Sequence, residues 1–129
     1  MTKWHYPLDI GPYPITAYYT PSEKSWHRLL DKLGLSDEPY PIEDSAGKCC
    51  IYKNPKNGDP ICIIVIAPPG DHKLHSMLGV IAHECIHVWQ EVRARIGEEF
   101  PSIEFEAYTI QSMVASVTYA WFKHVWNKK

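Results

Sequence analysis

Two histidines four residues apart bracket an acid in His83-Glu84-Cys85-Ile86-His87, an H-E-x-x-H pattern. On a helix turning about 100° per residue, the imidazoles of His83 and His87 stand one turn apart on one face, so their nitrogens can converge on a single divalent ion. Glu84 is too near in sequence to make a comfortable third ligand. It is well placed to take a proton from a water that the ion polarises. The residue types and spacing therefore point to zinc chemistry with Glu84 as general base. The plainer alternative is a helix surface that carries two solvated histidines by accident.

The elements that must position these groups argue against accident. Lys73 to Ile96 reads as helix throughout, with Leu74, Leu78, Ile81, Cys85, Val88 and Val92 forming an apolar stripe. His83, His87, Gly79, Val80, Gln90 and Ala94 fall roughly opposite it, so one face can pack on a core while the other lines a site. Gly79 sits one turn before His83, where it costs about 1 kcal/mol of helix propensity relative to Ala and leaves the backbone approachable. Pro68-Pro69-Gly70 precedes the helix, Asp71 is available to cap it, and Gly97 closes it.

A zinc site that does chemistry takes three protein ligands and leaves a fourth position open. Glu104 and Glu106 are the nearest acids on the next helical stretch, which Pro101 opens and in which Ile103, Ala107, Ile110, Val114, Val117, Trp121 and Val125 keep a three-four spacing toward the C-terminus. The short link after Gly97 makes the two helices antiparallel neighbours. On a helical wheel Glu104, Tyr108, Gln111 and Ala115 share one side of the stripe, and Glu106 and Met113 the other. Geometry alone leaves both acids possible. A hydrogen-bonding residue one turn on favours Glu104 with Tyr108; dipole complementation at the helix start is the alternative role for either acid. His72, His75 and His124 are remoter ligand candidates.

The remainder reads as a small α+β domain. Met1 to Pro14 holds three of the eleven prolines and forms an extended arm, with Trp4, Tyr6 and Tyr13 expected to lie on the body. Ile15 to Tyr19 is a short strand. Thr20-Pro21-Ser22-Glu23 is expected to cap a helix at Thr20, with Trp26, Leu29, Leu30 and Leu33 buried and Gly34 at its end. A loop from Leu35 leads to strands at Lys48 to Lys53 and Pro60 to Ala67, joined as an antiparallel hairpin by a turn-rich segment. The second strand is apolar without alternation, which implies cover on both faces.

The 129 residues make one domain, with 45% hydrophobic and 22% charged residues and a formal net charge of -2. Nothing in that balance suggests nucleic acid as a partner; Lys128 and Lys129 are the only basic cluster. Neither a signal peptide nor a membrane anchor is apparent, and a cytoplasmic location is expected. Cys49, Cys50, Cys62 and Cys85 lack C-x-x-C spacing and are expected as reduced thiols, a Cys-based metal site at Cys49 and Cys50 being the sharper alternative. Oligomeric state is not legible.

H-E-x-x-H on one helix followed by Glu on the next resembles the gluzincin metallopeptidases, with Glu104-Phe-Glu-Ala-Tyr108 standing where that group has Glu-x-x-x-Asp. The same region is similar to the Glu-x-x-Ala-Asn segment of ImmA/IrrE-type peptidases, and His83 to Gln90 with Glu104 to Gln111 resembles small zincin-like proteins of phages and prophages. The resemblance covers about the last sixty residues, and Tyr in place of Asp is a departure. It implies a minimal zincin: a small, mostly antiparallel sheet, an N-terminal helix, an active-site helix and a glutamate helix, with Zn2+ held by His83, His87 and a Glu. The expected activity is hydrolysis of a peptide or protein substrate, with Tyr108, Tyr119 or a flanking His stabilising the oxyanion. Ile61 to Ala67 is the strand expected to offer its edge to the substrate. The rival is a binding or regulatory protein on the same scaffold with little or no turnover.

Overall fold

A computed structural model describes residues 3–97 and 102–128. Four strands form one mixed sheet: β1 (Tyr6–Pro7), β2 (Thr16–Tyr19), β3 (Gly47–Lys53) and β4 (Pro60–Ile66), in the order β1-β2-β4-β3. β1 and β2 are antiparallel, β2 and β4 parallel, and β3 and β4 antiparallel. Helix α1 (Glu23–Leu33) covers one face, and α2 (Leu74–Ile96) with α3 (Ile103–His124) covers the other.

β4 explains the layering. Its side chains alternate between faces. Ile61, Ile63 and Val65 join Trp26, Leu29 and Leu30 of α1, whereas Cys62, Ile64 and Ile66 join Ile81, Cys85, Val88, Met113 and Trp121. A strand between two helical layers has no wet face, so an unbroken apolar run is what its position requires. The same position corrects one expectation. β4 is paired on both sides, by β2 and β3, and has no edge to offer; the free edges belong to β3 and β1.

The helix starts also differ from the sequence reading. α1 is capped by Ser22, not Thr20: Ser22 Oγ accepts from the Ser25 amide while Ser25 Oγ accepts from the Ser22 amide. That reciprocal pair satisfies two otherwise unpaired donors within one turn. α2 starts from Lys73 with no side-chain cap, so Asp71 does not cap it. Gly34 and Gly97 close α1 and α2 in the left-handed conformation.

Ile81, Cys85, Val88 and Val92 of the α2 stripe are buried as expected, Leu74 and Leu78 are half-buried against the same core, and Met77 and Trp89 join the buried set. α3 is rotated in its first turns. Ile103 is 81% exposed and Ala107 faces solvent, while Thr109, Met113, Val117, Ala120 and Trp121 are buried. Seating the larger Met113 and Trp121 against the core turns the start of the apolar spacing outward. α3 stops at His124, followed by a 3-10 turn at Trp126–Lys128. There Tyr6 and His124 Nε2 hydrogen-bond at 2.6 Å, fastening the N-terminal arm to the last helix. Pro101, expected to open α3, and the link that follows Gly97 lie outside the described residues.

Candidate metal centre

α2 is a regular helix across the pentapeptide, and regularity alone brings the two imidazoles together. Their Nε2 atoms are 3.2 Å apart. Two nitrogens each ~2.0–2.1 Å from a tetrahedral ion would be about 3.3–3.4 Å apart, so this spacing fits a shared divalent cation. His83, Glu84 and His87 offer ligand atoms within 4.8 Å of one another and form the one group of three or more such residues among those described.

Glu84 is the unusual member. It is 6% exposed, and no hydrogen bond or ion pair reaches it among the described residues. A carboxyl group that lines the groove without a partner of its own, beside two imidazoles, is placed to move a proton. What buries the stem of this side chain is the start of β3. A Cβ on Gly47 would lie 2.8 Å from Val80 Cγ1 and 3.3 Å from Glu84 Cγ, so only glycine lets α2 approach the strand this closely. His83 and Glu84 end a groove of about 530 Å³ that Ala46, Gly47, Ser76, Gly79 and Val80 complete. The free edge of β3 begins beside it.

The acids weighed as third ligand are separated by the structure. Glu106 turns toward α2, where its Oε2 accepts from Trp89 Nε1 at 2.8 Å. Glu104 is exposed and has no described partner. Neither belongs to the group around His83 and His87. Tyr108 is 64% exposed and Tyr119 63%, and neither lines the groove. His124 is engaged with Tyr6, and His72 and His75 stand outside the group.

The four cysteines are unbridged. Cys49 packs in the core beneath α2 with Cys62 and Cys85, while Cys50 points to the opposite side of β3, so the adjacent pair cannot share an ion. Burial, with Cys49 and Glu84 nearby, pushes the Cys85 thiol up to about 12. Sharing a hydrogen bond with Cys62, together with burial, raises Cys49 also. Both are held as neutral thiols.

Three features escaped the sequence reading: Gly47, Trp89 and the hydrogen bond of His87 Nδ1 with Gln90 Oε1 at 2.9 Å. The i,i+3 spacing of His87 and Gln90 was the available signal for the last. Gly47 and Trp89 act through partners distant in sequence. The chain matches no protein-family model, no curated protein and no solved structure. No described helix is long and apolar enough to cross a membrane.

Proposed function

We propose that this protein is a zinc-dependent peptidase of the minimal zincin kind, with His83 and His87 as ligands and Glu84 as general base. The observation that carries the reading is the pair of Nε2 atoms at 3.2 Å beside the unpartnered carboxyl group of a largely buried glutamate that lines an open groove. When bound, zinc supplies Lewis acidity toward the scissile carbonyl and acidifies the attacking water. Glu84 takes the proton from that water and delivers it to the leaving amine. The edge of β3 holds an extended substrate by main-chain hydrogen bonds, in place of the inaccessible β4.

Glu104 is the third ligand in this reading. Its support is that Glu106 is committed to Trp89 while Glu104 is free, and its carboxylate must come closer to the imidazoles than it stands here. Tyr108, one turn beyond, is the donor assigned to the developing oxyanion, and like Glu104 it must come closer to the groove than it stands here.

Reconstituted protein should hold about one zinc per chain and cleave casein in a chelator-sensitive way. His87→Ala should lose the metal; Glu84→Gln should keep it and lose hydrolysis by at least ~100-fold, the usual worth of a positioned base. Absence of zinc after reconstitution, or undiminished hydrolysis by Glu84→Gln, would defeat the reading. One observation favours a second: no α3 acid joins the group around the histidines. Bound zinc without turnover would indicate a binding or regulatory protein on the same scaffold.

A further inference from the structure

We propose that Gln90 is a positioning residue for this centre, holding His87 in the tautomer whose Nε2 lone pair faces the ion. The inference rests on the metal reading above and adds a residue to it.

The argument is a count of protons. Gln90 Oε1 can only accept, so the 2.9 Å contact requires the hydrogen of a neutral His87 to sit on Nδ1. His87 Nε2 is then an acceptor. It faces His83 Nε2 at 3.2 Å, a hydrogen bond in which His83 must be the donor. The two imidazoles of the metal-free chain are therefore opposite tautomers: His87 is already arranged to ligate through Nε2, while His83 carries its hydrogen there.

Binding an ion through both Nε2 atoms thus requires one rearrangement rather than two. His83 must move its proton to Nδ1, and because its ring is exposed, water can carry that proton. Without an acceptor at position 90, His87 would be free to take the other tautomer as well, and part of the population would need both rings to change. The contact lies within one turn of one helix, so it needs no residue of α3, no metal and no substrate to form. A hydrogen bond at the remote nitrogen also raises the basicity of the ligating one.

The test uses the full chain in three forms: wild type, Gln90→Leu and Gln90→Glu. Long-range proton–nitrogen spectra of 15N-histidine-labelled, metal-free protein at alkaline pH, where the rings are neutral, report the tautomer directly. His87 should be protonated on Nδ1 in wild type and Gln90→Glu, whose carboxylate remains an acceptor, and should be a mixture in Gln90→Leu. Zinc competition titrations should show affinity lower by ~10–100-fold in Gln90→Leu and restored to within a few-fold in Gln90→Glu. Wild-type His87 protonated on Nε2 would overturn the proposal, as would equal zinc affinity in wild type and Gln90→Leu. The expected tautomers in a chain that takes up no zinc would instead overturn the metal reading, and with it the role given to Gln90.

Discussion

Helices α1 and α2 pack on opposite faces of the same strand, and they are built on different terms. α1 has a reciprocal cap at Ser22 and Ser25, Glu23 in its first turn, Lys32 in its last and Gly34 beyond it. Each choice agrees with helix formation and with the macrodipole. α2 has no side-chain cap, no acid in its first turn, a glycine one turn before His83 and a buried glutamate without a partner. Natural sequences concentrate such local conflicts at functional sites, and all of these lie in the half of α2 that borders the groove. The C-terminal half returns to convention, with Arg93 and Arg95 in the last turn and an Arg95–Asp59 ion pair at 2.8 Å.

The division is broken most forcefully by attacking the α1 face. Trp26 is fully buried against Ile61, Ile63 and Val65. Trp26→Ala should cost ~3–5 kcal/mol, a large share of the ~5–15 kcal/mol that holds a domain together. Denaturant titration measures the loss. The zinc affinity of the folded fraction should stay within a few-fold of wild type, because the sheet separates the two clusters. A proportionate fall in affinity would mean that the faces are coupled and the division is false.

The acids of α3 give the next largest effect and separate structure from chemistry. Glu106→Ala leaves the indole N–H of Trp89, a 3% exposed residue, without its acceptor and should cost ~1–3 kcal/mol. Glu104→Ala removes an exposed side chain and should change stability by less than ~0.5 kcal/mol. If Glu104 is the third ligand, its loss should nevertheless weaken zinc binding by well over ~10-fold, an effect larger than that of an outer-shell residue. The reverse pattern in the competition titration would move the ligand to Glu106.

These residues also show how far the sequence could be read. The H-E-x-x-H geometry depends on helical spacing alone and was legible, as were the apolar stripe of α2, the doubly covered β4 and the α+β class. What was hidden depends on tertiary contact. That β4 is central and β3 the edge follows from β2 pairing in parallel with β4 across an intervening helix and strand, which no local pattern announces. The outward turn of Ile103 reflects competition between two apolar spacings on α3, decided by which side chains fill the core. Glu106 looked no different from Glu104 until Trp89 was placed beside it.

Capping tests the comparison at smaller magnitude. Ser22→Ala should cost ~1 kcal/mol, since it removes the acceptor for the Ser25 amide. Lys73→Ser, which supplies a cap where α2 has none, should add up to ~1 kcal/mol. Opposite signs at the two N-termini, read from thermal melts, would confirm that α1 is near its local optimum and α2 is not. A neutral result at Lys73 would indicate that water already serves the free amides of α2.

Gly79 carries a small expected effect on stability and the most informative one. Inside a helix, glycine is ~0.5–1 kcal/mol less favourable than alanine, and such a residue is often retained because something packs against it. Here a Cβ would meet nothing within 4 Å, so the folded chain itself gives no steric reason for glycine. Gly79→Ala should therefore raise stability by ~0.5–1 kcal/mol, a shift of about 2–4 °C in Tm for a domain of this size. The open space is the groove, and the proposed substrate would lie there with its backbone close to the helix. The same substitution should then raise KM for peptide cleavage while leaving zinc affinity unchanged, because His83 and His87 are untouched. If Tm rises and KM does not move, Gly79 is an unoptimised helix position unconnected with the site. If Tm fails to rise, the space above Gly79 is needed by the folded chain itself, and the contrast between α1 and α2 loses its clearest member.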